Sequence, residues 1–169
     1  MTGSDLSANA TASLQHGNDT SPADSRVIIV PYRDSAHRAQ VEALWRQSFG
    51  YATAHNRPAL AIDRKLAVND GLFFTAIAGE KVVGGVMAGY DGHRGWLYAV
   101  CVLPEWRGQG LGSALVRHAE KALAALGCMK INLQLADGND AVAAFYETLG
   151  YAVEKRVSMG KVLPENVPA

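Results

Sequence analysis

A chain of 169 residues, 49% hydrophobic and 19% charged, is long enough to bury one substantial core and short for two full domains. Lysine plus arginine equals aspartate plus glutamate at 16 each, so no global field draws the protein to nucleic acid or to an anionic membrane. No apolar run reaches membrane-spanning length, the N-terminus lacks the basic-then-apolar layout of a secretory signal, and Cys101 and Cys128 sit in apolar surroundings without paired spacing. Buried reduced thiols, a cytoplasmic location, and neither nucleic acid nor membrane as partner are the expectations.

Residues 1–25 are rich in Ser, Thr, Ala, Asn and Asp and hold no aromatic or β-branched aliphatic residue, which predicts a disordered tail ahead of a single domain over 26–169. VIIVPYR then reads as a strand, and SAHRAQVEALWRQSF as a helix with Val41, Leu44, Trp45 and Phe49 near helical spacing. Pro58 to Asn69, with Leu60, Ile62, Leu66 and Val68, reads as a second, weaker helix flanking a cleft. Three apolar runs follow, separated by Gly79-Glu80 and by Asp91-Gly92, and predict an antiparallel meander.

Leu111, Ala114, Leu115, His118, Ala122 and Leu126 then fall on one helical stripe, with Gly127 as the stop. Lys130 to Leu135 alternates Ile131, Leu133 and Leu135 with polar partners as a strand does, Asn139 to Leu149 makes a short helix ended by Gly150, and Tyr151 to Val162 reads as a last strand. The helix from 111 to 126 would join two parallel strands in an otherwise antiparallel sheet, giving a mixed α/β layer.

The stretch VLPEWRGQGLGSALV places Gly108, Gly110 and Gly112 at a helix entrance, where each glycine costs about 1 kcal/mol relative to alanine in a helix interior. Backbone N–H groups at a helix start lack intrahelical partners and carry partial positive charge, so a strand, a glycine turn and a helix make an anion pocket suited to phosphate. The spacing is neither a Walker loop, which ends Gly-Lys-Ser/Thr, nor the dinucleotide fingerprint G-x-G-x-x-G. A nucleotide-binding protein is therefore disfavoured.

These residues resemble the GCN5-related N-acetyltransferases, the GNAT fold, whose signature Arg/Gln-x-x-Gly-x-Gly/Ala follows a strand ending V-x-P and stands here as VLPEWRGQGLGSAL. A second element of that family, an Asn before a helix with Tyr and then Gly-Phe/Tyr, stands as NDAVAAFYETLGY from Asn139 to Tyr151. The resemblance covers about residues 27–163, and AGYDGHRG, Ala88 to Gly95, resembles a bacterial subgroup of the family. It implies a mostly antiparallel mixed sheet with flanking helices, splayed between its two central parallel strands, and an acetyl-CoA-dependent enzyme moving acetyl to a primary amine by direct attack.

Carried onto this chain, the resemblance implies that backbone N–H groups of Arg107, Gly108, Gln109, Gly110, Leu111, Gly112 and Ser113 hold the pyrophosphate of acetyl-CoA. It further implies that the edge from Val100 to Val102, splaying beyond residue 133, pairs with the pantetheine arm, that Asn139 contacts the same arm, and that Tyr146 beside the sulfur protonates the leaving thiolate. Members that acetylate protein N-termini commonly carry Glu where this chain has Gln134, which leaves ordered water, Asp91, His93 or Glu105 as base. Asp91, His93 and Arg94, on the hairpin turn, are acceptor-site candidates, and Asp-Gly equally serves the turn's own backbone.

His37 and His118 have no partner at metal spacing, so no metal is predicted; Trp45, Trp96 and Trp106 are either core or acceptor-pocket aromatics. The acceptor is a small-molecule amine or a protein amine, and a homodimer is left open. The alternative to catalysis is a non-catalytic acyl-CoA-binding or sensing module, against which Tyr146 speaks.

Overall fold

The computed structural model describes residues 26–50 and 56–163, so the expected N-terminal tail, residues 1–25, lies outside the described residues. The β-branched run forms strand β1 (Val27–Pro31) and leads into helix α1 (Asp34–Phe49). Helix α2 (Pro58–Val68) begins with proline at its first position and ends at left-handed Asn69. Strands β2 (Phe73–Ala78), β3 (Lys81–Tyr90) and β4 (Gly95–Val102) form the expected meander. Helix α3 (Leu111–Ala125), strand β5 (Ile131–Asn132) and helix α4 (Asp140–Glu147) complete the order.

The five strands lie in the order β1-β2-β3-β4-β5, with β4 and β5 parallel and every other pair antiparallel. Helices cover both faces, and the alternation within β2 shows how. Phe73 stacks on Tyr32 at 4.2 Å between ring centroids and on Trp45 of α1 at 5.6 Å, while its neighbour Phe74 meets His118 of α3 edge-on at 4.6 Å. Two cores result. Val41, Leu44, Trp45 and Ile62 fill the α1/α2 side, and Leu111, Leu115, Val116, Ala119 and Leu123 fill the α3 side.

The buried row of α3 follows steps of four residues, 111, 115, 119 and 123, which drift by about 40° per step at 3.6 residues per turn. Ala114, expected on the stripe, lies about 60° to the other side of Leu111 and faces solvent, and Leu126, also expected there, is the C-cap residue beyond the last turn and is exposed. Phe49 of α1 and Leu66 and Val68 of α2 are also exposed, because each stands in the last turn of its helix, past the edge of the sheet face. Cys101 is buried as expected; Cys128 is only half-buried, following α3 where the chain turns back toward β5.

Two sequence expectations at the C-terminal side do not hold. Strand β5 pairs with β4 only through Gly95 with Ile131 and Trp96 with Asn132, so Leu133 and Leu135 continue past the ladder. The stretch from Tyr151 to Val162 forms no strand, for a strand needs a neighbour's backbone and β5 offers two residues. It is held instead by side chains: Lys130 pairs with Glu154, and Gln134 Nε2 donates to Ser158 Oγ at 2.7 Å.

Candidate active site

Strand β4 organises the site. Two residues of β3, from Gly85 to Met87, step against three of β4, from Cys101 to Tyr98, which is a bulge, and Ala99 within it has φ +48°. Alanine in the left-handed region is disfavoured by roughly 1–2 kcal/mol. The extra residue resets the alternation: Leu97 packs on the α3 side, Ala99 and Cys101 on the α1 side, and Val100 and Val102 again on the α3 side. From Leu97 onward β4 runs without a ladder partner on its β5 side, so the two parallel strands part into a V that opens toward the C-terminal end of β4.

The glycine loop stands at that open end. A single helical turn over Pro104–Trp106 leads to Gly108 at φ +72° and Gly110 at φ +80°, conformations that glycine adopts without strain. Gly110 is the N-cap of α3 and no side chain caps the helix; Ala114 N–H makes the first intrahelical bond, to Gly110 C=O at 3.0 Å. The N–H groups of Leu111, Gly112 and Ser113 precede that ladder and point their partial charge out of the helix. The Arg107 N–H, by contrast, is committed to Pro104 C=O at 3.2 Å. Arg107 Nε donates to Val102 C=O and Gln109 Nε2 to Glu105 C=O, both at 3.0 Å, so these side chains brace the loop.

Gly112 has a different reason. A Cβ there would approach Phe145 Cζ of α4 to 3.3 Å, so its bareness lets the two helices close. Asn139 is the N-cap residue of α4; its carbonyl accepts the N–H groups of Val142 and Ala143, and its side chain makes no capping bond. Tyr146, about two turns further on, is 6% exposed, with its ring edge-on to Phe145 at 5.0 Å and to Tyr151 at 5.5 Å. Burial, and then the neighbouring Cys101 thiol, push its phenol up to about 12. Burial likewise raises Cys101 to about 12. Tyr146 lines a cleft of about 1010 Å³ together with Trp96, Asn132, Gln134, Tyr151 and Glu154.

The hairpin turn stands at the other end of β4. Seven residue steps of ~3.3 Å put it about 23 Å from the glycine loop, at the closed end of the V. Asp91 Oδ1 accepts the N–H groups of His93 at 2.8 Å and Arg94 at 2.6 Å, and these bonds hold its carboxyl below the usual carboxylate range. Glu105 is also held low, by Lys81 at 2.8 Å. Trp45 is core, with an indole Nε1 that has no hydrogen-bond partner among the described residues; Trp106 faces a small groove beside β1; Trp96 lies beside Tyr98 with ring centroids 6.5 Å apart. His37 Nδ1 accepts the Arg33 N–H at 3.0 Å. Among the described residues no helix is long and apolar enough to cross a membrane.

The sequence carries no signal for the bulge, since alanine marks no turn. The role of Gly112 was hidden among glycines that differ only in their surroundings.

A family model described as the acetyltransferase (GNAT) family matches residues 38–151. Acetyltransferase ECA0875 of Pectobacterium atrosepticum is 44% identical over 111 residues, spanning 66% of this chain and 79% of that protein. Acetyltransferase YPTB2753 of Yersinia pseudotuberculosis is 44% identical over 108 residues, 64% of this chain and 77% of its own length. Among solved structures, the aminoglycoside N-acetyltransferase AAC(6')-Iy in complex with CoA superposes with a TM-score of 0.67 at 19% identity, covering 83% of this chain and 97% of that one. Glucosamine-6-phosphate N-acetyltransferase from Arabidopsis thaliana does so at 0.61 and 20% identity, covering 82% and 99%. With its splayed sheet, its glycine loop and these relatives, the chain belongs to the acetyltransferase (GNAT) family.

Proposed function

We propose that the protein transfers the acetyl group of acetyl-CoA to a primary amine, on a small molecule or a protein, by direct attack in a ternary complex. The observation that carries this is the placement of an uncapped helix N-terminus, behind two left-handed glycines, at the mouth of the β4/β5 splay. These residues fit the group: Leu111, Gly112 and Ser113 offer N–H donors to a diphosphate, and Val100 to Val102 offer a free strand edge to an amide-bearing arm. Asn139, whose side chain caps nothing, would hold the same arm. When bound, acetyl-CoA supplies an acyl group already activated toward amines.

Direct attack is supported by Cys101, the thiol nearest the strand edge, which is buried and held protonated and so is a poor nucleophile. Main-chain N–H groups at the Ala99 bulge are the donors for negative charge developing on the thioester oxygen. Tyr146 keeps its proton at the phenol oxygen through the working pH range and offers a hydrogen bond to the leaving sulfur. In this reading the base is ordered water. Asp91 and Glu105 are both held below the ordinary range, Gln134 accepts no proton, and the incoming amine loses its proton to water. A cytoplasmic setting, where thiols stay reduced, suits the free Cys101 and Cys128.

The test is calorimetric titration with acetyl-CoA, ATP and NAD, followed by initial rates with labelled acetyl-CoA over panels of amines. Binding of acetyl-CoA alone and intersecting initial-rate patterns are expected. Failure to bind acetyl-CoA, or parallel ping-pong patterns, would overturn the proposal.

A further inference from the structure

Arg94 divides its two halves between two jobs. Its backbone N–H closes the Asp91 turn, while its side chain leaves the turn and brings Nη1 to Asn132 Oδ1 across the strands, at a long 3.4 Å. The residue is half-buried, and among the described residues no carboxylate pairs with the guanidinium. A guanidinium with five donors and, among the described residues, one long amide contact keeps most of its donors available to an anion. The donor fork matches the two oxygens of a carboxylate or a phosphate.

The surroundings point the same way. Asn132 stands opposite Trp96 in the last ladder pair, and residues paired across parallel strands project from the same face. On that face the rings of Trp96 and Tyr98 lie side by side, 21° from coplanar, and belong to neither core; Tyr98 is 46% exposed. Asn132 Nδ2 also reaches Glu154 at 3.4 Å, a carboxylate already paired with Lys130 and with Arg156. Lys130 and Arg156 are thus matched by Glu154, whereas Arg94, joined to the same cluster through Asn132, has no carboxylate among the described residues and is the cation left for an anion.

Resting on the proposed acetyl transfer, we infer that the acceptor amine also carries an anionic group, a carboxylate or phosphate, bound by Arg94 at the closed end of the splay, with its carbon skeleton against Trp96 and Tyr98. The guanidinium lies level with Trp96, three residues from the Ala99 bulge, a span of about 10 Å. The amine and the anion are therefore several bonds apart, as in the side-chain amine of lysine or in a phosphorylated aminosugar, and not adjacent as in glycine.

The experiment uses matched pairs of amines with the full chain: L-lysine against 1,5-diaminopentane, glucosamine 6-phosphate against glucosamine, and glycine as the short acceptor. Initial rates with acetyl-CoA are combined with calorimetric binding of each amine to the CoA-loaded protein, for the wild type, Arg94→Gln and Arg94→Lys. The wild type should prefer one anionic member over its partner by about 10- to 100-fold in kcat/KM, the range for a charged hydrogen-bonded pair, and should neglect glycine. The pair that responds identifies carboxylate or phosphate.

Arg94→Gln should bring the preference close to one, mainly through KM, with acetyl-CoA affinity unchanged. Arg94→Lys keeps the charge without the fork and should retain part of it, and it carries the test if Arg94→Gln does not fold. Equal use of both members, preference for the uncharged or dicationic member, a preference that survives Arg94→Gln, or no binding of any anionic amine overturns the inference. Loss of acetyl-CoA binding by the wild type would overturn the transfer reading itself, so the two failures are distinct.

Discussion

Gly112 at the start of α3 faces Phe145 of α4 so closely that a Cβ would lie 3.3 Å from Cζ of the ring. Gly112→Asp therefore acts on packing before it acts on any ligand. Overpacking costs typically 1–3 kcal/mol, so thermal unfolding should shift down by several degrees. Phe145→Leu relieves the contact, and a double-mutant cycle on melting temperature should show the two changes coupled.

Gln109 offers the cleaner probe of the anion cradle. Its side chain is exposed and braces Glu105 C=O, one residue before the N-cap of α3. A carboxylate there favours the free helix terminus and opposes a bound diphosphate. Gln109→Glu gives up the exposed bond to Glu105 C=O and gains a favourable charge at the helix start, terms of similar size, so the melting temperature of the free protein should stay near wild type while acetyl-CoA weakens by about tenfold, roughly 1.4 kcal/mol. Calorimetry at two salt concentrations checks this, since the penalty should shrink with added salt.

The meander, the helix pattern and the loop ahead of α3 were legible because each depends on local chemistry: β-branched runs, Asp91-Gly92, and glycine where φ is positive. The C-terminal stretch was not. Val153 and Val157 are spaced as in a strand, but a strand exists only against a free neighbouring backbone, and the ladder stops at Asn132. The bulge was hidden because its left-handed residue is Ala99, held there by the mismatch between β3 and β4. At the site, Tyr146, Asn139 and the glycines were readable as positions. Gly112's contact with Phe145 and Arg94's reach to Asn132 are tertiary facts that no spacing encodes.

His37 gives the fold a pH dependence. It is 3% exposed, its Nδ1 accepts the Arg33 N–H, and burial, followed by the Arg33 charge, lowers its pKa. The unfolded chain takes up a proton near the ordinary imidazole value of about 6.5, and the folded chain resists it. The stability involved is complete above that value and is lost as pH falls toward the lower folded pKa. Melting temperature measured from pH 7.5 to 5 should fall more steeply in the wild type than in His37→Gln.

Ala99 tests whether the bulge matters to turnover. Ala99→Gly keeps the conformation and removes strain of roughly 1–2 kcal/mol, against a similar gain in unfolded-state freedom, so stability and rate should stay near wild type. Ala99→Val puts a β-branched residue at φ +48° and favours a regular strand, which would turn Val100 and Val102 to the other face. A fall in kcat/KM of about tenfold or more, with a lowered melting temperature, is expected.

The phenol of Tyr146 stands at about 12, whereas an ordinary thiol titrates near 8.5. A proton passed outright from this phenol to a departing thiolate would climb roughly 5 kcal/mol, so the group works better as a hydrogen-bond donor to developing charge than as a full acid. The proton that ends on the sulfur then comes from the amine side or from water. Tyr146→Phe keeps the edge-on contacts with Phe145 and Tyr151 and removes one hydrogen bond to a charged atom, worth about 1.5–3 kcal/mol. The rate of the chemical step should fall about 10- to 100-fold with little change in acetyl-CoA affinity. Because the phenol stays protonated to about 12, wild type and Tyr146→Phe should share one ascending limb in their pH profiles, set by the acceptor amine. Single-turnover rates from pH 6 to 10 decide the matter: an unchanged rate makes Tyr146 a packing residue, and a displaced ascending limb makes it part of the base.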